Sequence, residues 1–509
     1  MRIINYNKAK HLLCLALLFN VFNCFSQGRN YTWLLGYHSG FSSLEGRISF
    51  TQNSYNVLGE QRTIPFSATQ GNISDESGNI LMSSNGYFIA DATGDTMFNG
   101  SGINPGPFAE DYKTYGFPLP YGNIILPMPD DTNKYVLFHL TLDYNSPLLA
   151  ASEIFYSIVD ISLNGGLGEV VSKNNIALTG SFGWSMAACK HANGRDWWIV
   201  ALSDSGNVAY KFLLAPNTVQ YVGSQNLQVP AFPIWAGQPT FSPDGEKFAF
   251  SHTQSIGSNQ YLLDIRLFDF DRCTGTFSTK MYLAFGDSTG GFGVSFSPNS
   301  QYLYVSSFQQ IYQFDTDTIN IPASITIVAI NDTFLSAPPV FYTNFHSMYL
   351  AANGKIYITS TNGVLDLHEM DYPDSAGTAC TVNLHNIHLP CFNLHTVPNH
   401  PNYYLGCDTT QTSCPCLTTG INEINQHDFR FSISPNPNNG NFRIMYLLPQ
   451  NKSGTLQIFD ITGKEIYHQN LPPWSTLQYI SLPKIADGVY QCTITSNNQR
   501  VNKKLVVVE

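Results

Sequence analysis

Histidine and cysteine crowd one stretch of this chain. His385, His388, Cys391, His395 and His400 stand within sixteen positions. Imidazole and thiolate are good zinc ligands, and HxxH spacing can bring two of them together. Pro390 and Pro398 interrupt the stretch and Pro401 follows it. The expectation is therefore an extended, stapled closing loop with no metal. A second group is His191, Arg195, Asp196 and Trp197, with Trp198 beside them. Polar side chains next to broad rings can hold a sugar by stacking and hydrogen bonding, which makes these four candidate ligand-binding residues. The competing reading is a plain turn with core tryptophans. The Asp269/Asp271 and Asp315/Asp317 pairs offer oxygen ligands of the kind calcium takes. Neither continues into a calcium loop, so both read as solvated turn acids. The catalytic and nucleotide-binding motifs GxSxG, HExxH, GxxxxGK[ST] and GxGxxG are missing from any suitable context. No cofactor and no catalytic residue is expected, and the balance leans away from an enzyme.

The elements that would position such groups are β-strands. The chain has 509 residues, of which 43% are hydrophobic, 13% aromatic and only 12% charged. Disorder needs the reverse balance. A formal net charge of −11 argues against a nucleic-acid partner, which would meet a basic surface. Residues 1–26 read as a secretory signal peptide: Arg2, Lys8 and Lys10 precede an apolar run from Leu12 to Phe22. That run is too short to cross a bilayer. Asn23 stands before Cys24, where a lipobox needs a small residue. No later segment has the length and apolarity of a transmembrane span.

Eight cysteines follow the signal, and five of them lie between Cys380 and Cys416. Export permits disulfides. Cys380, Cys391, Cys407, Cys414 and Cys416 are the disulfide candidates, with the pairing left open among many connectivities. For Cys189, Cys273 and Cys492, in strand-like settings, a buried thiol and a disulfide stand level.

One phrase recurs through the middle of the chain: a tight turn, then an alternating strand. Asp75–Asn85, Asp131–Leu140, His191–Val200, Phe241–Ser251, Phe296–Ser306 and Ala351–Ser360 all carry it. Their turn residues, Gly78, Asn133, Gly194, Gly245, Ser300 and Gly354, are 51 to 61 positions apart. Period-two runs such as Tyr302–Val305 suit strands with a buried face. A short-stranded unit repeated at this spacing is the signature of a propeller blade, which buries its faces only against neighbouring blades. Residues 27–406 are read as an all-β propeller of about seven blades. Six repeats are clear, so the first or last blade is irregular or closed by strands from both ends. A large β-sandwich is the alternative.

The FSPDG and FSPNS turns resemble those of WD40-like and YVTN-like propellers, without the regular Trp-Asp dipeptide. The polar, cysteine-bearing segment 407–429 reads as a linker. Residues 430–509 contain several short strands, as in a small β-sandwich. Their phrases SPNPNNGNF, LQIFDITGKEI, GVYQCTI and KKLVVV resemble the type A C-terminal sorting domain of the type IX secretion system of Bacteroidota. Pro435, Asn436, Pro437, Gly440, Asp460, Gly463, Lys464, Gly488, Tyr490, Lys503 and Lys504 carry that resemblance. It implies Sec export, passage through the periplasm, and delivery by the type IX machinery to the outer surface or the medium. Segments such as Tyr156–Asn174 and Pro401–Gly406 resemble exported Bacteroidota propellers with such tails, a likeness that implies fold and place but no chemistry. The expected role is an extracellular binding module for an unidentified glycan or protein. The alternatives are a polymer-degrading enzyme with its site in the channel, and a surface display protein.

Overall fold

The computed structural model describes residues 28–417 and 431–508, apart from 38–43, 52–53, 147–148, 235, 258–259, 288, 338–340, 447, 449–451, 474–476, 483–484 and 497–498. The expected signal peptide lies outside the described residues, as does the linker beyond 417. Two compact units divide the chain, one within Ser26–Leu417 and one containing Thr418–Glu509.

The first unit is a succession of antiparallel sheets. Sheet 1 holds β1 (Thr32–Leu35), β2 (Glu45–Phe50) and β3 (Tyr55–Glu60). Sheet 2 holds β4 (Gly71–Ser74), β5 (Ile80–Ser84) and β6 (Ile89–Ala90). Next come β7 (Asn123–Pro127), β8 (Lys134–Leu140), β9 (Ala151–Asp160), β10 (Glu169–Lys190), β11 (Trp197–Ser203), β12 (Val208–Ala215) and β13 (Thr218–Asn226). Strand β10 is long enough to serve two meanders. Its first part pairs with β9 and closes sheet 3, and Met186–Lys190 pairs with β11 and opens sheet 4. Sheet 5 holds β14 (Gly237–Phe241), β15 (Lys247–Gly257), β16 (Gln260–Asp271) and β17 (Thr276–Asp287). Sheet 6 holds β18 (Val294–Phe296), β19 (Tyr302–Ser306), β20 (Gln310–Asp315) and β21 (Thr326–Ile330). A small hairpin follows, β22 (Leu335–Ser336) with β23 (Phe341–Tyr342). Sheet 7 holds β24 (Met348–Leu350), β25 (Ile356–Ile358), β26 (Val364–Met370) and β27 (Val382–Asn393).

The first strands of successive sheets are neighbours in order, from β4 through β7, the end of β10, β14 and β18 to β24. Trp33 of β1 meets Tyr349 of β24 edge-on, with ring centroids 6.3 Å apart, so the last sheet returns to the first. The arrangement is a β-propeller. Its core lies between sheets: Phe248, Phe250 and Phe268 pack with Trp198, Val200 and Leu202 of the sheet before.

Each of the six repeated turns joins the first and second strands of sheets 2 to 7. Gly78, Gly194, Gly245 and Gly354 sit at φ between 75° and 86°, and Ser300 takes the same place at 62°. A side chain at Gly194 would also collide with Cys407, whose backbone nitrogen would lie 2.7 Å from the added Cβ. Left-handed backbone favours glycine at all four, and at Gly194 and Gly245 close approach excludes a Cβ as well.

Sheet 1 is the irregular one. β1 starts beside Gly78, where Thr32 Oγ1 donates to the Gly78 carbonyl at 2.8 Å. It therefore runs against the direction of the inner strands of sheets 2 to 7. After β27 the chain returns to the ring's centre. Thr396 Oγ1 donates to the Ala68 carbonyl at 2.6 Å, before β4 begins. Further on, Tyr403 donates to the Ile125 carbonyl at 2.9 Å, and Arg272 donates to the Gly406 carbonyl at 2.5 Å. This segment, hereafter the strap (396–406), takes the course of an inner strand for sheet 1. Val397 packs with Trp33 and Tyr349. Pro398 and Pro401 lack the N–H groups of a regular strand, so side chains do the bonding instead.

Three expectations need correction here. The histidine-rich stretch is not all loop, since Val382–Asn393 is β27, an outer strand on which a proline can sit. Residues 407–417 are not a free linker, because the Asp408 and Leu417 N–H groups donate to Ala192 and Asn193 at 2.8 and 3.1 Å. Two disulfides, Cys273–Cys414 and Cys407–Cys416, secure this segment. Cys380 and Cys391, taken above as disulfide candidates, are buried free thiols. Each faces the core of sheet 7 or the seam with sheet 1, away from the 407–417 cysteines.

The C-terminal unit has two sheets, β28 (Phe431–Ser434), β29 (Asn441–Tyr446) and β32 (Leu477–Ser481) in one, and β31 (Glu465–Leu471), β30 (Gly454–Phe459), β33 (Gly488–Ser496) and β34 (Gln499–Val507) in the other. Ile444, Ile480, Leu456, Ile494 and Leu505 share its core.

Candidate functional site

Two amides cross the centre of the ring. Gln238 on β14 donates from Nε2 to the Met348 carbonyl at 2.6 Å. Its Oε1 accepts from the N–H groups of Val294 and Met348, both at 3.0 Å. One side chain thus binds sheets 5, 6 and 7. Asn399 on the strap donates its backbone N–H to the Gln70 carbonyl at 3.3 Å. Its Nδ2 donates to Asn123 at 3.3 Å and to Met186 at 3.1 Å. That residue binds sheets 2, 3 and 4 to the strap. Between them, Gln238 and Asn399 link every inner element by polar bonds, alongside the packed rings of Tyr121 and Tyr349.

Beside this closure lies a cavity of about 230 Å³, the cup, reaching the face that carries the repeated turns. Those turns touch side by side: the Asp244 N–H donates to Ser300 Oγ at 3.2 Å. The cup's walls come from β14, β18, β24 and the strap, with Asn30 and Trp33 from the N-terminal side. Phe241, Pro243, Ala352 and Tyr404 are half-buried at its rim and Asn402 is exposed there. Asn402 Nδ2 donates to the Pro243 carbonyl at 2.8 Å, and the Arg29 N–H donates to Tyr404 Oη at 2.7 Å, so two rim side chains are fixed. Asparagine, glutamine, serine, threonine and aromatic rings share the wall with prolines and the aliphatic Met348, Leu350, Ala351 and Ala352, with no aspartate, glutamate, lysine or arginine among the described residues that line it. His400 is uncharged, its pKa pushed down to about 4 by burial. A smaller cavity of about 60 Å³ lies across the strap and touches Cys189 and Lys190. Burial pushes the Cys189 thiol up to about 12 and Lys190 down to about 8.

The sequence-expected groups sit elsewhere. His385 Nε2 lies 2.9 Å from Asp332 and its ring stacks on Phe334 at 4.0 Å. His388 Nδ1 lies 3.0 Å from Asp366. His395 is half-buried, and His400 reaches the Asn72 carbonyl at 2.6 Å. The run does not converge, and the described residues contain no histidine, cysteine and acid group placed to hold a metal. Asp271 caps its own turn, and Asp317 pairs with Lys247 at 2.9 Å.

His191, Arg195 and Asp196 occupy one of the repeated turns. Arg195 bridges Asp196 and Asp130 at 2.8 and 2.9 Å. Trp197 is buried, with Lys190 Nζ 4.1 Å over its ring, so that ring offers no face to a sugar. Trp198 is buried too and stacks on His191. The reason is register: both tryptophans lie in β11, the second strand of a blade covered on both faces. Gln238 and Asn399 escaped the sequence reading because uncharged amides carry no spacing signal.

In the C-terminal unit the quoted motifs meet. Asn436 Nδ2 donates to the Lys504 carbonyl at 2.7 Å and its Oδ1 accepts from the Val506 N–H at 2.8 Å. The Pro435–Gly440 loop therefore clamps the last strand. Gly440 is at φ 85°, and a Cβ there would stand 2.6 Å from the Leu482 carbonyl. Asp460 Oδ1 accepts from the Thr462 and Lys464 N–H groups in the Gly463 turn. Gly488 opens β33, and the Tyr490 hydroxyl donates to the Ala486 carbonyl at 2.7 Å. Asp460, Gly463, Tyr490, Lys503 and Lys504 line one open groove of about 420 Å³.

No curated protein matches the chain. Similar solved structures include a functionally unknown protein from Desulfotomaculum acetoxidans, 12% identical, with TM-score 0.38, covering 73% of this chain and 99% of that one. A putative TolB from Agrobacterium tumefaciens is 16% identical, with TM-score 0.30, covering 57% of this chain and 88% of that one. A quinonprotein alcohol dehydrogenase-like protein from Bacteroides thetaiotaomicron is 9% identical, with TM-score 0.29, covering 86% and 83%. Residues 432–508 match the family described as the secretion system C-terminal sorting domain. Among the described residues no helix is long and apolar enough to cross a membrane. The chain is a β-propeller carrying a type IX secretion sorting domain, which sends it to the cell surface or beyond.

Proposed function

We propose that the ring is an extracellular binding module that holds its ligand in the cup without turning it over. Residues 1–26 would direct Sec export, and the sorting domain would engage the type IX machinery at the outer membrane of a member of the Bacteroidota. The observation that carries the reading is the wall of the cup. Aromatic rings and neutral hydrogen-bonding groups meet there in a pre-formed concavity, the usual make-up of a recognition site. An acid–base mechanism would need titratable groups poised near the reacting atoms. The one titratable wall group of that range, His400, is held neutral and bonded to a backbone carbonyl. The test is to incubate the intact protein with polysaccharides, mucins and matrix proteins and to score retention and released fragments together. Retention without fragments is the expected result. New reducing ends or peptides would make the protein a polymer-degrading enzyme instead.

A further inference from the structure

The cup's chemistry also selects among ligands, and this step rests on the binding reading above. We propose that the cup takes a single uncharged sugar ring, such as the terminal residue of a neutral glycan.

Size comes first. At about 230 Å³ the cup is smaller than the roughly 300–1,000 Å³ of sites for drug-sized ligands. It suits one ring and not an oligosaccharide laid inside. Charge comes second. A buried charge needs a partner of opposite sign, and the wall supplies neither carboxylate nor cation. A uronate, a sugar phosphate or an amino sugar would lose its water with nothing in exchange. Outside the wall, Asp244, Glu246 and Asp408 lie near Lys247 and Arg272 beside the Gly245 turn, so both signs meet there and charge selection rests on the wall itself.

Shape comes third. A pyranose presents an apolar C–H face and an equatorial ring of hydroxyls. Phe241 and Tyr404 offer half-buried ring surface at the rim, and Asn30, Thr240 and Ser295 offer neutral donors and acceptors on the wall. Pro239, Pro243, Pro398 and Pro401 stiffen two of the wall segments, β14 with its turn and the strap. A rigid wall loses little freedom on binding, which favours a small ligand with few contacts.

The experiment uses the intact protein and hydroxyl-radical footprinting. The probes are methyl glycosides of glucose, galactose, mannose and N-acetylglucosamine, with galacturonate and glucosamine as charged counterparts. The expected result is protection of Phe241 and Tyr404 by at least one neutral glycoside and by neither charged sugar. Ala352→Trp, which places a ring at the rim, should abolish that protection while leaving the thermal midpoint unchanged. If that variant does not fold, saturation-transfer NMR on the wild-type protein gives an independent readout of neutral against charged sugars. Equal protection by a charged sugar overturns the neutral-ligand proposal and leaves the binding reading standing. Protection of the rim by none of the sugars overturns the proposal, and capture of a polysaccharide or protein that also leaves the rim unprotected removes the cup from the binding reading as well.

Discussion

Gln238 grips Met348 by both backbone groups, its amide nitrogen on the carbonyl at 2.6 Å and its amide oxygen on the N–H at 3.0 Å, across a separation of 110 residues. The amide stands in for a stretch of β-ladder between strands that are not adjacent in a sheet. The same oxygen also accepts from Val294. A glutamine can do this because its one amide group has both a donor end and an acceptor end.

Gln238→Ala should therefore be costly. It strips partners from three backbone groups that are buried at the ring's centre, and a buried group left unpaired costs about 1–3 kcal/mol. The expected loss is roughly 3 kcal/mol or more, read by urea denaturation. A loss below about 1 kcal/mol would mean that water replaces the amide at no penalty, and the closure would then be incidental.

Acid should loosen the ring well before its carboxylates are protonated. Burial pushes His139 and His346 down to about 3, and His252, His368, His395 and His400 down to about 4. Unfolded histidine titrates near 6.5. Between those values the unfolded chain binds protons that the folded chain refuses. Stability is thus fully present above the unfolded value and falls as the pH drops towards 4. Glu45, pushed up to about 7 by burial, and Glu246, also raised by burial, act in the opposite sense but are outnumbered by the histidines. Urea midpoints should decline steadily from about pH 7 to about pH 5, and a flat profile would contradict the buried, neutral state.

The two disulfides should differ in worth. Cys273–Cys414 closes a separation of 141 residues and Cys407–Cys416 one of 9. Loop-closure entropy grows with length, and a native disulfide contributes about 2–5 kcal/mol. Replacing Cys273 and Cys414 together by serine should lower stability by an amount in that range. Replacing Cys407 and Cys416 should cost less. Thermal midpoints of the two double variants compare them directly, and the reverse order would contradict the entropic account.

In the sorting domain, Asn436→Ala should remove both bonds to the last strand, at about 1 kcal/mol each. The same change should reduce the exported fraction in cell fractionation, because the terminal strand is then held from this loop by Asn438 alone. Lys503→Ala together with Lys504→Ala alters the groove but leaves the clamp, since Asn436 bonds the backbone at this strand and not the lysine side chains. If export falls while the domain's melting is unchanged, the groove is read by the machinery. If export is unchanged, the clamp alone carries the signal.

Much of the ring could be read from short-range pattern. The turns at Gly78, Gly194, Gly245, Ser300 and Gly354 declare themselves because left-handed backbone restricts the residue type, and the strands after them alternate. The sorting domain was legible through its own phrases, which the family match at 432–508 repeats. What escaped depends on distance in the chain. Cys273 gives no sign that its partner is Cys414, and Gln238 and Asn399 look like any polar residue beside a proline. For Trp197 and Trp198 the sequence left a core role and a binding platform side by side, because it shows their size and not which way the strand faces; both rings are in the core. The 22-residue β10 was hidden because a single bulged strand shared by two sheets has no boundary in composition.

The strap gives the ring an order of completion. Strand β1 is made first, but the residues that take the inner place beside it are made last, after all the other sheets. A chain stopped before Thr396 would have six regular sheets and an open seam. The sorting domain comes later still. A chain that carries its address has therefore already produced everything needed to shut the ring, and a chain broken off earlier lacks the address whether or not its ring is closed.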